Sequence, residues 1–300
     1  MSGALAARIA ATSTRKVDPA ASAFARYLAS KSNALGVLFY GSNLRTGSRE
    51  GVLDFYILLP GPAETGLWPR VSYREWEFEG ETLRAKIATM SLAMFARAAS
   101  GKTIDTTIWA RFVQPSALVW HLDEDTGAAI RAALAAACET AARLAVAVGP
   151  PAANESEFWK SLFRATYKAE LRVEKPGRED SILALNPGHF EGLLEPALEQ
   201  QGMACAREGP RGDVLVPDLS PARRADILRW WGKRRRRGKA LNIARLLRAT
   251  RTFDGAARYA AWKVERHTGI PVEITPFREK HPVLAAPAVL FKLWRNRRTG

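Results

Sequence analysis

The stretch VLFYGSNLRTGSREGVLDFYILLP, Val37 to Pro60, restricts the fold more than any other part of the chain. Two apolar runs, 36–40 and 52–59, have the length and the aromatic and β-branched content of buried strands, and Gly and Pro bound them. Between them lie Gly41, Ser42, Gly47, Ser48 and Gly51, and the second run carries one carboxylate, Asp54. Aspartate is disfavoured in strands and costly to bury without a partner, so Asp54 calls for a compensating metal or cation. An ion pair with Arg45 or Arg49, or a strand-edge position, would also satisfy it.

The following residues extend the same pattern. SYREWEFEGETLRAKIATM reads as a hairpin turning at Glu79-Gly80, followed by a helix from Ser91 to about Ser100. IWARFVQPSALVWHL supplies a helix end and another strand, stopped at Asp123-Glu124-Asp125. These elements predict an α/β domain with a mixed sheet and flanking helices over 1–125. A mainly helical region, 126–220, is expected next, with helices over 127–148, from Asn154 onward and near 187–200, and a Gly/Pro-rich stretch at 202–220. The last segment, 221–300, reads as helical runs over 221–237 and 239–267, then a Pro-rich break and an amphipathic end to Arg298.

Charge follows this division. The chain has 300 residues and a formal net charge of +15. Residues 221–300 hold 21 Lys and Arg against 5 Asp and Glu, whereas the first 220 residues hold 24 against 25. A near-neutral body with a basic end implies a polyanionic partner, either nucleic acid or an acidic membrane surface. No run approaches the roughly 18 apolar residues of a membrane span. The 2 cysteines, Cys138 and Cys205, lack metal-type spacing, so neither a disulfide framework nor a zinc site is expected. Arg8, Arg15 and Lys16 precede the first acid, as in a transit peptide, although the Ala/Arg-rich composition throughout favours a frayed start.

A Gly-Ser turn between a strand and a helix suits phosphate. The glycine lets the backbone approach, and serine with the helix-start amides binds oxygens. A carboxylate on the next strand can hold Mg²⁺ against those phosphates. A polymerase-like pattern would place a second acid two residues after Asp54, where Tyr56 stands. Glu75, Glu77, Glu79 and Glu81 share one hairpin and offer either a second metal ligand or a solvated face. The four histidines are scattered, and none is assigned a catalytic role.

Taken in order, these landmarks resemble the translocator-assembly-and-maintenance family, the mitochondrial-type phosphatidate cytidylyltransferases. FYGSN is similar to the family's Y-G-S-G, and VLDFYILL to its L-D-F strand. KIATMS places Lys86, WARFVQP places Arg111 and Pro115, and YKAELRV places Tyr167, Glu170 and Arg172. AARYAAWKV is similar to the family's basic helix near the C-terminus. Asn43, Gln114 and Glu170 stand where the family has glycine, lysine and aspartate, and the insert before Lys86 is short.

The resemblance implies a nucleotidyltransferase α/β domain, a helical domain closing over the site, and a basic amphipathic tail. It implies that CTP and phosphatidate give CDP-diacylglycerol and pyrophosphate, at the matrix or cytoplasmic side of an inner membrane whose anionic lipids the tail meets. Gly41, Ser42 and Arg111 would bind phosphates and Asp54 would hold Mg²⁺, with Lys86 and Arg172 neutralising charge. Lys86 read alone is a strand lysine whose stem packs while its head reaches solvent. Arg111 could pair with Asp105, and Arg172 with Glu170 or Glu174. A nucleotidyltransferase acting on RNA, and a non-catalytic lipid- or nucleic-acid-binding relative, are the alternatives.

Overall fold

The computed structural model describes residues 3–169, 178–268 and 272–277. The start is not frayed: α1 (Gly3–Ser13) buries Leu5 and Ile9, and Arg8 donates to the backbone carbonyls of Gly188 and His189 at 3.2 and 2.9 Å. Next comes α2 (Pro19–Ser32), with Pro19 in its first turn and Asp18 capping the amide of Ala20.

The sheet has five strands. They are β1 (Gly36–Tyr40), β2 (Leu53–Leu59), β3 (Arg70–Phe78), β4 (Glu81–Ser91) and β5 (Ser116–His121). Their order is β3-β4-β2-β1-β5, with β2 and β4 parallel and the other neighbours antiparallel. Three short helices connect them: α3 (Ser42–Thr46), α4 (Leu92–Ala99) and α5 (Thr107–Phe112). Strand alternation sends Val37, Phe39, Leu53, Phe55, Ile57, Leu83, Ala85 and Ile87 to one face, against Phe24 and Leu28 of α2. It sends Leu38, Tyr56, Leu58, Ala88 and Met90 to the other face, which α1, α4, α5 and the later helices cover. Asp54 and Lys86 belong to this second face.

The central helix is α6 (Glu124–Val148), capped by Asp123, whose carboxylate accepts from the amide of Thr126. Against it pack α7 (Glu155–Ala169) and α10 (Leu194–Glu199), while α8 (Arg178–Ala184) and α9 (Pro187–Phe190) pack on α7. The helix expected near 187–200 is thus two, separated around Gly192 (φ +70°). The Glu155 carboxylate accepts from the amides of Gly192, Leu193 and Leu194, supplying the partners that a continuous helix would have provided. The Gly/Pro-rich stretch contains a hairpin, β6 (Cys205–Glu208) and β7 (Val214–Pro217).

The basic segment opens with a single long helix, α11 (Pro221–Thr252), followed by α12 (Ala256–Thr268). The expected break after Arg237 does not occur. A Cβ on Gly238 would lie 2.7 Å from the carbonyl oxygen of Ala169, so this glycine serves a close passage past α7 and stays helical. The turn falls instead at Asp254-Gly255, which pairs with β3: the amide of Tyr73 donates to the Asp254 carbonyl at 2.8 Å. Tyr259 of α12 packs on Tyr73, and the guanidinium groups of Arg84 and Arg266 lie 5.7 and 5.4 Å from the Trp262 ring centre. One hydrophobic cluster joins Leu38 and Tyr56 on the second face of the sheet to Leu144, Trp159, Leu198, Ile227 and Trp231 of the helices. The amphipathic end expected up to Arg298 lies outside the described residues.

Candidate functional site

The site forms where β1 ends. Gly41 leaves the strand at φ 90° and ψ −163°, a conformation open in practice only to glycine, and Ser42 begins α3. The loop beyond is tied down by Asn43, whose buried side chain donates to the carbonyls of Ser48 and Glu50 at 2.9 and 2.7 Å. The residue that departs from the resembled motif is therefore the brace that returns the chain to β2. Register then sets Asp54 opposite Tyr40 on one side and Lys86 on the other. A Cβ on Gly41 would stand 2.8 Å from Oδ2 of Asp54, so the turn backbone and the carboxylate are in near contact.

Cations surround this carboxylate. Burial pushes the Asp54 carboxyl above its ordinary range, and Lys86, Arg111 and Arg45, in that order, pull it back down. Lys86 is exposed on β4, while Arg111 comes from α5 and Arg45 from α3. Four sequence-expected residues, Gly41, Ser42, Asp54 and Lys86, thus meet at one end of the sheet. Arg111 joins them from 57 positions further along the chain than Asp54. Arg49, the other sequence candidate for pairing with Asp54, is turned away to Asp18 at 3.0 Å and Glu81 at 3.4 Å.

Tyr56 has a role that its sequence position did not disclose. It points to the same face as Asp54, is fully buried, and accepts a hydrogen bond from Nη1 of Arg111 at 3.3 Å. Burial raises its phenol, keeping it protonated. The Arg111 guanidinium also lies 5.3 Å from the Tyr40 ring centre and 5.9 Å from that of Tyr56. The place where a second acid was sought is used to hold a cation. Period-2 alternation put residue 56 on the face of residue 54, but it carried no sign of the bond to Arg111.

Other expected partnerships are redistributed. Asp105 does not pair with Arg111 but with Arg245 of α11, at 2.6 Å. Among the hairpin acids, Glu75 accepts from the Tyr73 hydroxyl, Glu77 from Thr82, and Glu81 pairs with Arg49. Among the described residues no three His, Cys, Asp or Glu side chains gather as a metal group, and Asp54 is the carboxylate that lies against the Gly41 turn. One carboxylate fits a hard cation such as Mg²⁺, which takes most of its ligands from phosphate oxygens and water. Glu170 and Arg172 lie outside the described residues. Set against protein-family models and curated proteins, the chain matches none.

Proposed function

We propose that the chain is a nucleotidyltransferase of the phosphatidate cytidylyltransferase type, converting CTP and phosphatidate to CDP-diacylglycerol and pyrophosphate. The observation that carries this reading is the contact of the Gly41 turn with Asp54, a carboxylate whose charge Lys86, Arg111 and Arg45 favour. Among the described residues three cations act on the Asp54 carboxylate, which suits a polyanion, and a turn open to glycine alone suits close approach by phosphate.

In the reaction, a phosphate oxygen of phosphatidate attacks the α-phosphorus of CTP. The bond from that phosphorus to the bridging oxygen of the β-phosphate breaks, and pyrophosphate leaves with the electron pair. The nucleophile is already ionised at neutral pH, so the site needs no strong general base. Positioning and charge neutralisation then carry the catalysis. The Ser42 hydroxyl and the Gly41 turn orient the triphosphate, and Arg111 grips phosphate oxygens in its planar fork. Lys86, exposed on β4, offsets the charge of the departing pyrophosphate. Asp54 would hold Mg²⁺, which when bound supplies further neutralisation of the triphosphate. Arg172 is assigned to the same charge-neutralising set on the resemblance alone.

Incubating the protein with labelled CTP, Mg²⁺ and phosphatidate-containing vesicles should yield a labelled lipid and pyrophosphate. Label appearing on RNA and not on lipid would favour the second reading, a nucleotidyltransferase extending an RNA end. The exposed run Arg235 to Arg237 on α11 supports a polyanionic partner under either reading. Among the described residues no helix is long and apolar enough to cross a membrane, so attachment to an inner membrane would be peripheral.

A further inference from the structure

The basic C-terminal helix meets the site at one buried ion pair. Trp230 and Trp231 of α11 pack on Trp109 of α5, with ring centres 5.9 and 6.2 Å away. Further along α11, Nη1 of Arg245 lies 2.6 Å from Oδ1 of Asp105 and 3.4 Å from Oγ1 of Thr107. The two charged side chains are 16% and 3% exposed, so neither is a solvated surface charge. The same Asp105 carboxylate caps the start of α5, accepting from the Thr107 amide at 3.1 Å and the Thr107 hydroxyl at 2.7 Å.

The helix so capped is short. α5 runs only from Thr107 to Phe112, too few residues to hold itself together, so its contacts fix its position. Its last turn carries Arg111, the cation that bonds to Tyr56 and faces Asp54. A direct line therefore runs from Arg245 through Asp105 and Thr107 into α5 and out to Arg111. The Arg245 guanidinium is itself set over Trp68, 5.0 Å from the ring centre. Removing Arg245 would leave a buried carboxylate without its cation at the point that anchors α5.

We propose that Arg245 is a positioning residue: through Asp105 it fixes α5, and with it Arg111, at the Asp54 site, making the basic helix part of that site. The proposal rests on the reading of Arg111 as a phosphate-binding group. The experiment compares wild type with Arg245→Ala, Arg245→Lys and, as a control on the exposed face of the same helix, Lys239→Ala. Amide hydrogen exchange is followed over residues 107–112, and affinity for Mg²⁺-CTP is measured by calorimetry.

Arg245→Ala should speed exchange in α5 by about tenfold, since local opening is what the pair opposes. It should weaken CTP by about tenfold, the usual scale for loss of a supporting contact, with little added loss on top of Arg111→Ala. Arg245→Lys should recover much of both, and Lys239→Ala should change neither. Unchanged α5 exchange in Arg245→Ala, or CTP losses that simply add to those of Arg111→Ala, would overturn the proposal. Should Arg245→Ala fail to fold, Arg245→Gln carries the same comparison. If wild type binds no CTP, the cytidylyltransferase reading falls, and α5 exchange alone then decides whether Arg245 positions Arg111.

Discussion

Asp54 is pulled two ways: its burial favours the neutral carboxyl, while Lys86, Arg111 and Arg45 favour the carboxylate, and burial is the larger influence. An acid whose folded value is raised binds its proton more tightly in the native state than in the unfolded chain. Its ionisation therefore costs stability at neutral pH, and the cost disappears as pH falls through the raised value and then the ordinary one. Asp54→Asn should be more stable than wild type at neutral pH and should converge with it in acid. Urea unfolding across about pH 4 to 8 reads this, and parallel curves would refute it. The same substitution should lower turnover by about two orders of magnitude or more, because the charge being removed is the one the chemistry uses. Gly41→Val meets both a forbidden backbone angle and the Asp54 carboxylate, so it should cost about 1–3 kcal/mol in unfolding free energy and abolish CTP binding. An unchanged unfolding midpoint would show that the turn tolerates a side chain. The Gly-Ser turn and Asp54 were legible because they lie close in sequence on adjacent strands. Tyr56 as the holder of Arg111 was not, since that bond spans 55 positions.

Glycine illustrates how much of the element structure a sequence discloses. Strands β1 and β2, the β3–β4 hairpin and α6 were all legible, because alternation, turn residues and caps are local signals. Gly238 and Gly255 look alike in sequence, yet one lies within a helix against Ala169 and the other turns the chain against the carbonyl of Tyr73. Only the neighbouring element distinguishes them. The same holds for the arginine run in α11, which reads as one basic patch but has two faces. Arg234 is 6% exposed, donates to the carbonyl of Gly101 at 2.6 Å and stacks on Trp230 at 3.9 Å. Burial lowers its guanidinium to about 10, with Arg143 nearby adding to the effect. Arg235, Arg236 and Arg237 are exposed. Arg234→Ala should therefore destabilise the fold by about 1–3 kcal/mol, whereas triple replacement of Arg235 to Arg237 by alanine should leave stability within about 0.5 kcal/mol. The triple variant should instead lose vesicle binding by about a hundredfold, at about 1 kcal/mol per engaged arginine, and high salt should reproduce the loss. Intact vesicle binding with lost RNA binding would move the second reading to the front.

At the scale of the molecule, net charge suggested a near-neutral body carrying a strongly basic tail, and the structure builds the basic helix α11 into the core. Ile227 and Trp231 are 8% and 4% exposed within the main cluster, which passes the expected boundaries at 125 and 220 without interruption. Arg224 donates to the carbonyls of Ala147 and Gly149 at 2.9 and 2.7 Å, satisfying groups at the C-terminal end of the central helix α6. Arg234 serves Gly101, Arg245 serves Asp105, and Asp254 pairs with β3, so the segment is attached at four separate places along the body. Composition could not disclose this, because a docking arginine and a solvated one contribute the same charge. A chain ending at residue 220 should therefore not behave as the body without its membrane arm. It should expose the apolar surface that Ile227 and Trp231 cover, leave the end of α6 without its arginine, and lose cooperative unfolding in urea. The triple variant of Arg235 to Arg237, with the same docked helix and three fewer charges, should retain that transition. If the shortened chain unfolded with the same midpoint and slope as the full one, the helix would be an appendage after all, and charge alone would describe it.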